Sequence, residues 1–244
     1  MTENRLDPHQ RRGLELLARL DPPPRHAVVL SAGGVTSTVV AHWLVHSAAQ
    51  VTMLTCTLSN QAHHGVECAT ATAALLNCEH RIADLSPVAR AVSTSHPDID
   101  TGSTASVLAR ISNGMAIMLD LGVALAIHRV ADAVLVGIHA DDTVLRPECD
   151  PRFLDAVTHQ ATVSNTELST DRFRVAAPLT ALSGDEVVLL GAELGVPYQH
   201  TWSCHRAGPT HCGHCPGCRR RRGAFTAADL PDPTEHGEHY PAGG

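Results

Sequence analysis

Apolar positions along this chain fall into short continuous runs separated by longer stretches of helical period. Ala27-Val28-Val29-Leu30 is one such run and Ala133-Val134-Leu135-Val136-Gly137 is another. Runs of this length, bounded by turn residues, suit strands buried on both faces. Further strands are expected over 51–57 and 80–85, and helices over 35–47, 67–76, 114–128 and 184–194. The last of these stops at Gly195-Val196-Pro197. Residues 1–24 read as a polar leader with a short helical stretch over 12–20 that halts at Pro22-Pro23-Pro24. Strands alternating with helices predict an α/β fold: a Rossmann-like, mostly parallel sheet with right-handed crossovers and helices on both faces. That domain is expected to span 25–197. Residues 198–244 break the alternation with cysteines, arginines and a Pro-Asp-Pro turn, and there is no internal repeat.

Composition sharpens this picture. Hydrophobic residues make up 43% of the 244 residues but aromatics only 3%, so the core must be built from Ala, Val and Leu. No apolar run approaches the ~20 residues that span a bilayer. The net charge of −7 argues against a nucleic-acid partner, with the four arginines over 219–222 as the local exception. Their simplest reading is a solvated helix face; the rival is a phosphate-binding patch. The chain opens without a secretory leader pattern, so a cytoplasmic setting with reduced thiols is expected.

Cys204, Cys212, Cys215 and Cys218 fall within fifteen residues. Cys-x2-Cys spacing lets two thiolates meet one ion from a single tight turn, and two such steps overlap here. Four sulfurs that leave no open position describe a structural zinc site. An iron–sulfur cluster also takes four cysteines, although a compact knuckle beside basic residues favours Zn2+. His205, His211 and His214 stand close enough in sequence to exchange in as ligands. Cys56, Cys68, Cys78 and Cys149 are scattered and read as small buried residues.

Ser31-Ala32-Gly33-Gly34 links the first apolar run to the first long helix. It matches neither a dinucleotide fingerprint nor a P-loop. A glycine turn entering a helix still aims N–H groups and the helix dipole at one point, which suits an anion such as pyrophosphate. Ser37 and Thr38 add hydroxyls in the first turn. Many such turns hold no ligand.

Taken together, these segments resemble the 7-cyano-7-deazaguanine synthase family of the PP-loop ATP pyrophosphatase superfamily. The tail carries the resemblance most strongly: Thr201-Trp202-Ser203-Cys204, then His211-Cys212-Gly213-His214-Cys215-Pro216-Gly217-Cys218, Arg222, Ala224-Phe225 and Asp232-Pro233-Thr234. Val107-Leu108-Ala109-Arg110 is similar to a V-P-A-R segment near the substrate. Gly137 with Asp141-Asp142, then Pro147-Glu148-Cys149 and Arg152-Phe153, are similar to G-x-x-x-x-D…P-D-C-R-x-x-F. His64 and Glu67 match H-x-x-E, while Pro178-Leu179 and Glu186 match P-L…E. Three positions depart. The family loop S-G-G-x-D-S reads Ala32-Gly33-Gly34-Val35-Thr36-Ser37, and the lysine expected before Glu186 falls at Gly184.

The resemblance implies an adenine-nucleotide alpha-hydrolase-like fold and an ATP- and Mg2+-dependent carbon–nitrogen ligase. Its substrates would be a deazapurine carboxylate, 7-carboxy-7-deazaguanine, and ammonia. It further implies nucleotide binding along Ser31, Ala32, Gly33, Gly34, Val35, Thr36, Ser37 and Thr38. Arg110, Asp141 and Ser37 would be the catalytic candidates, and Cys204, Cys212, Cys215 and Cys218 the zinc ligands. Asp141, Asp142 and Glu148 can equally be turn and cap residues. Ala32, Thr36 and Gly184 support a rival: an ATP-incompetent paralogue that binds a deazapurine or a partner, as a homodimer or beside an active subunit. A transfer-RNA-handling protein is a third reading, opposed by the negative charge and the scarcity of stacking aromatics.

Overall fold

The computed structural model describes residues 8–58, 64–92, 111–168, 172–206 and 208–235. Five strands, β1 (His26–Leu30), β2 (Gln50–Thr57), β3 (Glu79–Asp84), β4 (Ala133–Val136) and β5 (Arg174–Ala176), form one sheet in the order β3-β2-β1-β4-β5. Every pairing is parallel. Nine α-helices are described: α1 (Pro8–Ala18), α2 (Val35–His46), α3 (His64–Leu75), α4 (Ser86–Val92), α5 (Gly114–Arg129), α6 (Ala140–Leu145), α7 (Pro151–Ser164), α8 (Gly184–Glu193) and α9 (Pro216–Ala227). None is long and apolar enough to cross a membrane.

Alternate strand residues point to opposite faces, and the two faces hold separate cores. Ala27, Val29, Val51, Met53 and Leu135 meet α2, α8, α1, α3 and α9 through residues such as Val40, Leu44, Leu190, Leu16, Ala69 and Phe225. Val28, Leu54, Val134, Val136 and Val175 meet α5 and α7 through Met118, Leu119, Val123, Leu154 and Val157. β1 therefore has no solvent face, as its unbroken apolar run requires. Helix α1 packs on α8, where Arg19 pairs with Glu186 at 3.0 Å.

From β1 the chain builds outward through β2 to β3, then returns to lay β4 on the other side of β1. The strand order reverses there. The two following connections leave in opposite directions and open a crevice beyond the carboxyl ends of β1 and β4, the usual ligand site of an open parallel sheet.

The sheet and its long helices lie where the hydrophobic pattern puts them, with ends shifted by a few residues. Five elements have no counterpart in that pattern: β5, α4, α6, α7 and α9. β5 is three residues long, too short for periodicity. α7 and α9 do carry a local signature, a cap residue followed by proline in the first turn. Asp150 precedes Pro151 and accepts the Arg152 N–H at 2.8 Å, and Cys215 precedes Pro216. Two expectations are corrected. The run 219–222 is not simply a solvated face, because Arg221 is 4% exposed. Of the scattered cysteines, Cys56 and Cys149 are buried, but Cys68 and Cys78 are only half-buried.

Candidate functional site

The crevice between the ends of β1 and β4 is a cleft of about 710 Å³, bounded by the glycine loop, the residues after β4, the start of α8 and the cysteine tail. Its size suits a nucleotide-class ligand. The loop is held from two sides. Gly33 has φ +72°, a conformation that costs a side chain about 1–2 kcal/mol, and a Cβ there would run into the Gly65 carbonyl oxygen of α3. On the other side a Cβ on Gly137 would lie 2.6 Å from the Ser37 nitrogen. Glycines at both points let three backbones close on one another. Gly33→Ala is accordingly expected to destabilise the protein by ~2 kcal/mol or more; an unchanged denaturation midpoint would contradict this packing.

Gly34 caps α2 without a side-chain hydrogen bond, so no side chain competes for its first-turn N–H groups. Ser31 and Ser37 are buried in the cleft wall, their hydroxyls 3.3 Å apart. Ser31 Oγ also accepts the Gly33 N–H at 3.3 Å, and Ser37 donates to the Gly34 carbonyl at 3.2 Å. Ala32, Gly34, Val35 and Thr36 line the cleft beside them. Thr38 instead turns its hydroxyl back to the Gly34 carbonyl at 2.9 Å and is 1% exposed. Thr38 and Gly33 thus form the back of the loop. Cys56, in the apolar wall, is pushed up to about 12 by burial and stays a neutral thiol.

Asp141 and Asp142 open α6 after β4. The Asp141 carboxylate accepts the Gly184 N–H at 3.2 Å, bridging α6 to the start of α8. Asp142 is buried, accepts from Arg146 at 3.1 Å and sits 3.5 Å from His139 Nε2. Glu148 lies in the short turn Pro147–Cys149, away from the cleft lining. Arg110 and the segment 107–110 lie outside the described residues.

The cysteine tail is bound directly to the loop. Trp202 donates its N–H to the Gly33 carbonyl at 2.7 Å. Its ring stacks on His64 of α3 at 4.4 Å and meets the tilted ring of His211 of the tail at 4.2 Å. His64 faces Glu67 at 3.2 Å, and His211 accepts the Ser203 N–H at 3.0 Å. In the sequence His64 and Glu67 match a motif without a role attached; in the fold they support the tryptophan.

The Sγ atoms of Cys204, Cys212, Cys215 and Cys218 lie within 4.8 Å of one another, all buried. This donor set fits one metal ion. Backbone N–H groups of His205, Arg206, Cys212, Cys215 and Cys218 each point at one of these sulfurs at 3.4 Å, which stabilises thiolates. Burial raises Cys204 and Cys218. It acts the same way on Cys212, but N–H donors from His214 and Cys215 outweigh it and bring that thiol to about 7. His211 is engaged with Trp202 and Ser203, and among the described residues the ligand cluster is cysteine alone.

The chain matches known proteins over most of its length. The family model described as queuosine biosynthesis protein QueC matches residues 26–229. The 7-cyano-7-deazaguanine synthase 1 of Mesorhizobium japonicum is 32% identical over 219 residues, covering 86% of this chain and 93% of that protein. The 7-cyano-7-deazaguanine synthase of Rhizobium meliloti is 31% identical over 216 residues, covering 86% and 91%. Among solved structures, NMN synthetase from Francisella tularensis aligns with a TM-score of 0.52 at 16% identity, covering 93% of this chain and 88% of that one, a likeness of fold alone. The match takes in the loop, the cleft and all four tail cysteines, and the chain belongs to the queuosine biosynthesis protein QueC family.

Proposed function

We propose that the protein is a 7-cyano-7-deazaguanine synthase-like enzyme that uses ATP to activate a deazapurine carboxylate for amide and nitrile formation. The observation that carries this reading is the cleft itself: a family-matched glycine loop at the sheet's switch point, tied through Trp202 to an intact four-cysteine tail. A carboxylate oxygen is a poor leaving group and AMP a good one. Attack of the carboxylate on the α-phosphorus of ATP expels pyrophosphate and leaves an acyl adenylate. Ammonia then adds to the acyl carbon, AMP departs, and one proton is released to give the amide. The amide oxygen then attacks the α-phosphorus of a second ATP and expels a second pyrophosphate; loss of that AMP, which carries away the oxygen, and of the nitrogen's protons leaves the nitrile. The α2 N-terminus, Ser31 and Ser37 would hold the departing pyrophosphate. Asp141 offers a carboxylate at the cleft wall for a nucleotide-borne Mg2+. Arg110 is the proposed contact to the base.

The tail metal is proposed to be zinc, with Cys204, Cys212, Cys215 and Cys218 as its ligands. Sulfur separations of 3.9 Å and 4.0 Å in the cluster support this, since Zn–S bonds of ~2.3 Å give tetrahedron edges of ~3.8 Å. With four thiolates it supplies cohesion to the tail and no open coordination position.

Purified protein given ATP, ammonia and 7-carboxy-7-deazaguanine is expected to release AMP and pyrophosphate and to yield a product with the mass of the nitrile. No nucleotide turnover with this acid or any other carboxylate would overturn the reading. Ala32, Thr36 and Gly184 favour a second one, an ATP-incompetent paralogue that binds a deazapurine or a partner protein. Micromolar ATP binding by calorimetry would exclude it.

A further inference from the structure

Position 184 lies where the family pattern places a lysine, and here it is glycine. A Cβ on Gly184 would stand 3.4 Å from Asp141 Oδ2 and 3.5 Å from the Ala224 Cβ of α9. The spot is therefore open enough for a side chain, but its nearest charge is a carboxylate. That carboxylate suits a nucleotide-borne Mg2+, but it gives the phosphates of an incoming polyphosphate no direct cationic contact from the protein.

α9 can deliver one. Ala224 and Arg220 are four residues apart on this helix and share its face. Helical side chains lean toward the N-terminus, so the wall that touches Gly184 continues into the Arg220 side chain. Arg220 is exposed, lines the cleft, and forms no ion pair among the described residues. Arg219 lies outside the cleft lining, and the two following arginines are committed otherwise. Arg221 is buried against Asp232, and Arg222 donates to the Gly213 carbonyl at 2.7 Å. Arg146, just after α6, also lines the cleft and is half-held by Asp142. Arg220 and Arg146 thus line one cleft together with Ser31, Ser37 and Asp141.

We propose that Arg220, seconded by Arg146, provides the positive charge for a nucleotide polyphosphate in this cleft, in place of a lysine at position 184. The assignment rests on the ATP-using reading above. Chemistry favours arginine in this role, because guanidinium is charged at any working pH and presents paired N–H donors that match phosphate oxygens. A polyphosphate is the preferred anion because it carries several charges and oxygens, and the α2 N-terminus and these arginines line the same cleft. A single carboxylate is too short and too weakly charged to use both.

The test is calorimetric titration of the full chain with ATP, with inorganic pyrophosphate and with 7-carboxy-7-deazaguanine. Arg220→Gln is expected to weaken ATP and pyrophosphate about 10- to 100-fold, to leave the acid's affinity unchanged, and to keep the far-ultraviolet dichroism of the parent. Arg220→Lys is expected to retain part of the affinity, and Gly184→Lys added to Arg220→Gln to restore part of it. The proposal is overturned if Arg220→Gln binds both phosphate ligands as tightly as the parent, or if it loses affinity for the acid alone. An unaltered protein that binds neither ATP nor pyrophosphate removes the nucleotide reading itself, and the arginine assignment with it.

Discussion

Stripping the metal from Cys204, Cys212, Cys215 and Cys218 is expected to lower the thermal midpoint by more than ~10 °C and to weaken ATP binding in the same sample. The first effect follows from energetics. Structural zinc sites bind with about 10–16 kcal/mol in isolated peptides, and that binding is folding free energy. In a chain of this size each kcal/mol moves the midpoint by ~2–4 °C, so about half of that energy produces the stated shift. The four buried thiols would otherwise be left as a cluster whose backbone N–H donors are arranged for thiolates. The second effect follows from geometry. Trp202 sits two residues before Cys204, donates its backbone N–H to the Gly33 carbonyl, stacks on His64 and packs against His211. Releasing the knuckle releases the tryptophan, and with it one of the clamps on the glycine loop. Differential scanning calorimetry and ATP titration before and after chelation, repeated on Cys215→Ser, measure both effects. A chelated protein with the parent midpoint and the parent ATP affinity would contradict the coupling.

Asp232→Ala is expected to cost about 3–5 kcal/mol. Arg221 side-chain exposure is 1% and that of Asp232 is 12%. Nε of Arg221 donates to both Asp232 oxygens at 3.0 Å and 2.9 Å, Nη1 to Thr201 Oγ1 at 2.7 Å, and Nη2 to the Tyr198 carbonyl at 3.0 Å. The guanidinium also lies over the Phe225 ring at 5.0 Å. Removing the carboxylate strands a buried cation whose other partners are all neutral. Replacing both partners, Arg221→Met with Asp232→Ala, is expected to cost less than Asp232→Ala alone, because no unpaired charge remains. Urea denaturation of the parent and the variants measures the difference. If Asp232→Ala unfolds at the parent midpoint, the pair carries no such weight.

The same pair sets a pH dependence. Burial pushes the Asp232 carboxyl up, but Arg221 and Thr234 outweigh it and hold the group below its ordinary value. The folded carboxyl therefore binds its proton less tightly than the unfolded one. Its contribution to stability is complete above the unfolded value of ~3.9 and is lost as pH falls through the lower folded value. The part of the acid unfolding limb below about pH 4 that this group carries should be missing from Asp232→Ala.

Much of the fold could be read along the chain. The buried runs at 27–30 and 133–136 admit little else than central strands, and the helices over 35–46 and 114–129 follow directly from their spacing. The cysteine spacing likewise announces a metal knuckle, because Cys-x2-Cys turns are local geometry. β5 escaped because three residues carry no period. α9 was legible as a solvated arginine face, but its buried side was not: Gly217, Cys218, Arg221 and Phe225 are buried, and arginine at 221 reads as polar. The loop residues were legible as a group, yet the direction of each side chain was not. Ser31 and Ser37 face the cleft and Thr38 does not, a division made by the turn of α2 against β4.

The alternation of strands and helices, a four-cysteine cluster that fits a metal ion, and the family with its loop and tail in a fixed order are all legible along the chain. These depend on spacing and residue type, which are properties of neighbouring positions. Tertiary structure alone decided which charges are used and where. Four consecutive arginines look equivalent in one dimension. On α9 successive residues are turned by roughly 100°, so Arg221 enters the core to meet Asp232, Arg222 reaches back to Gly213, and Arg220 faces the cleft beside Gly184. Partners so distant in the chain are chosen by packing, and packing is absent from any local pattern.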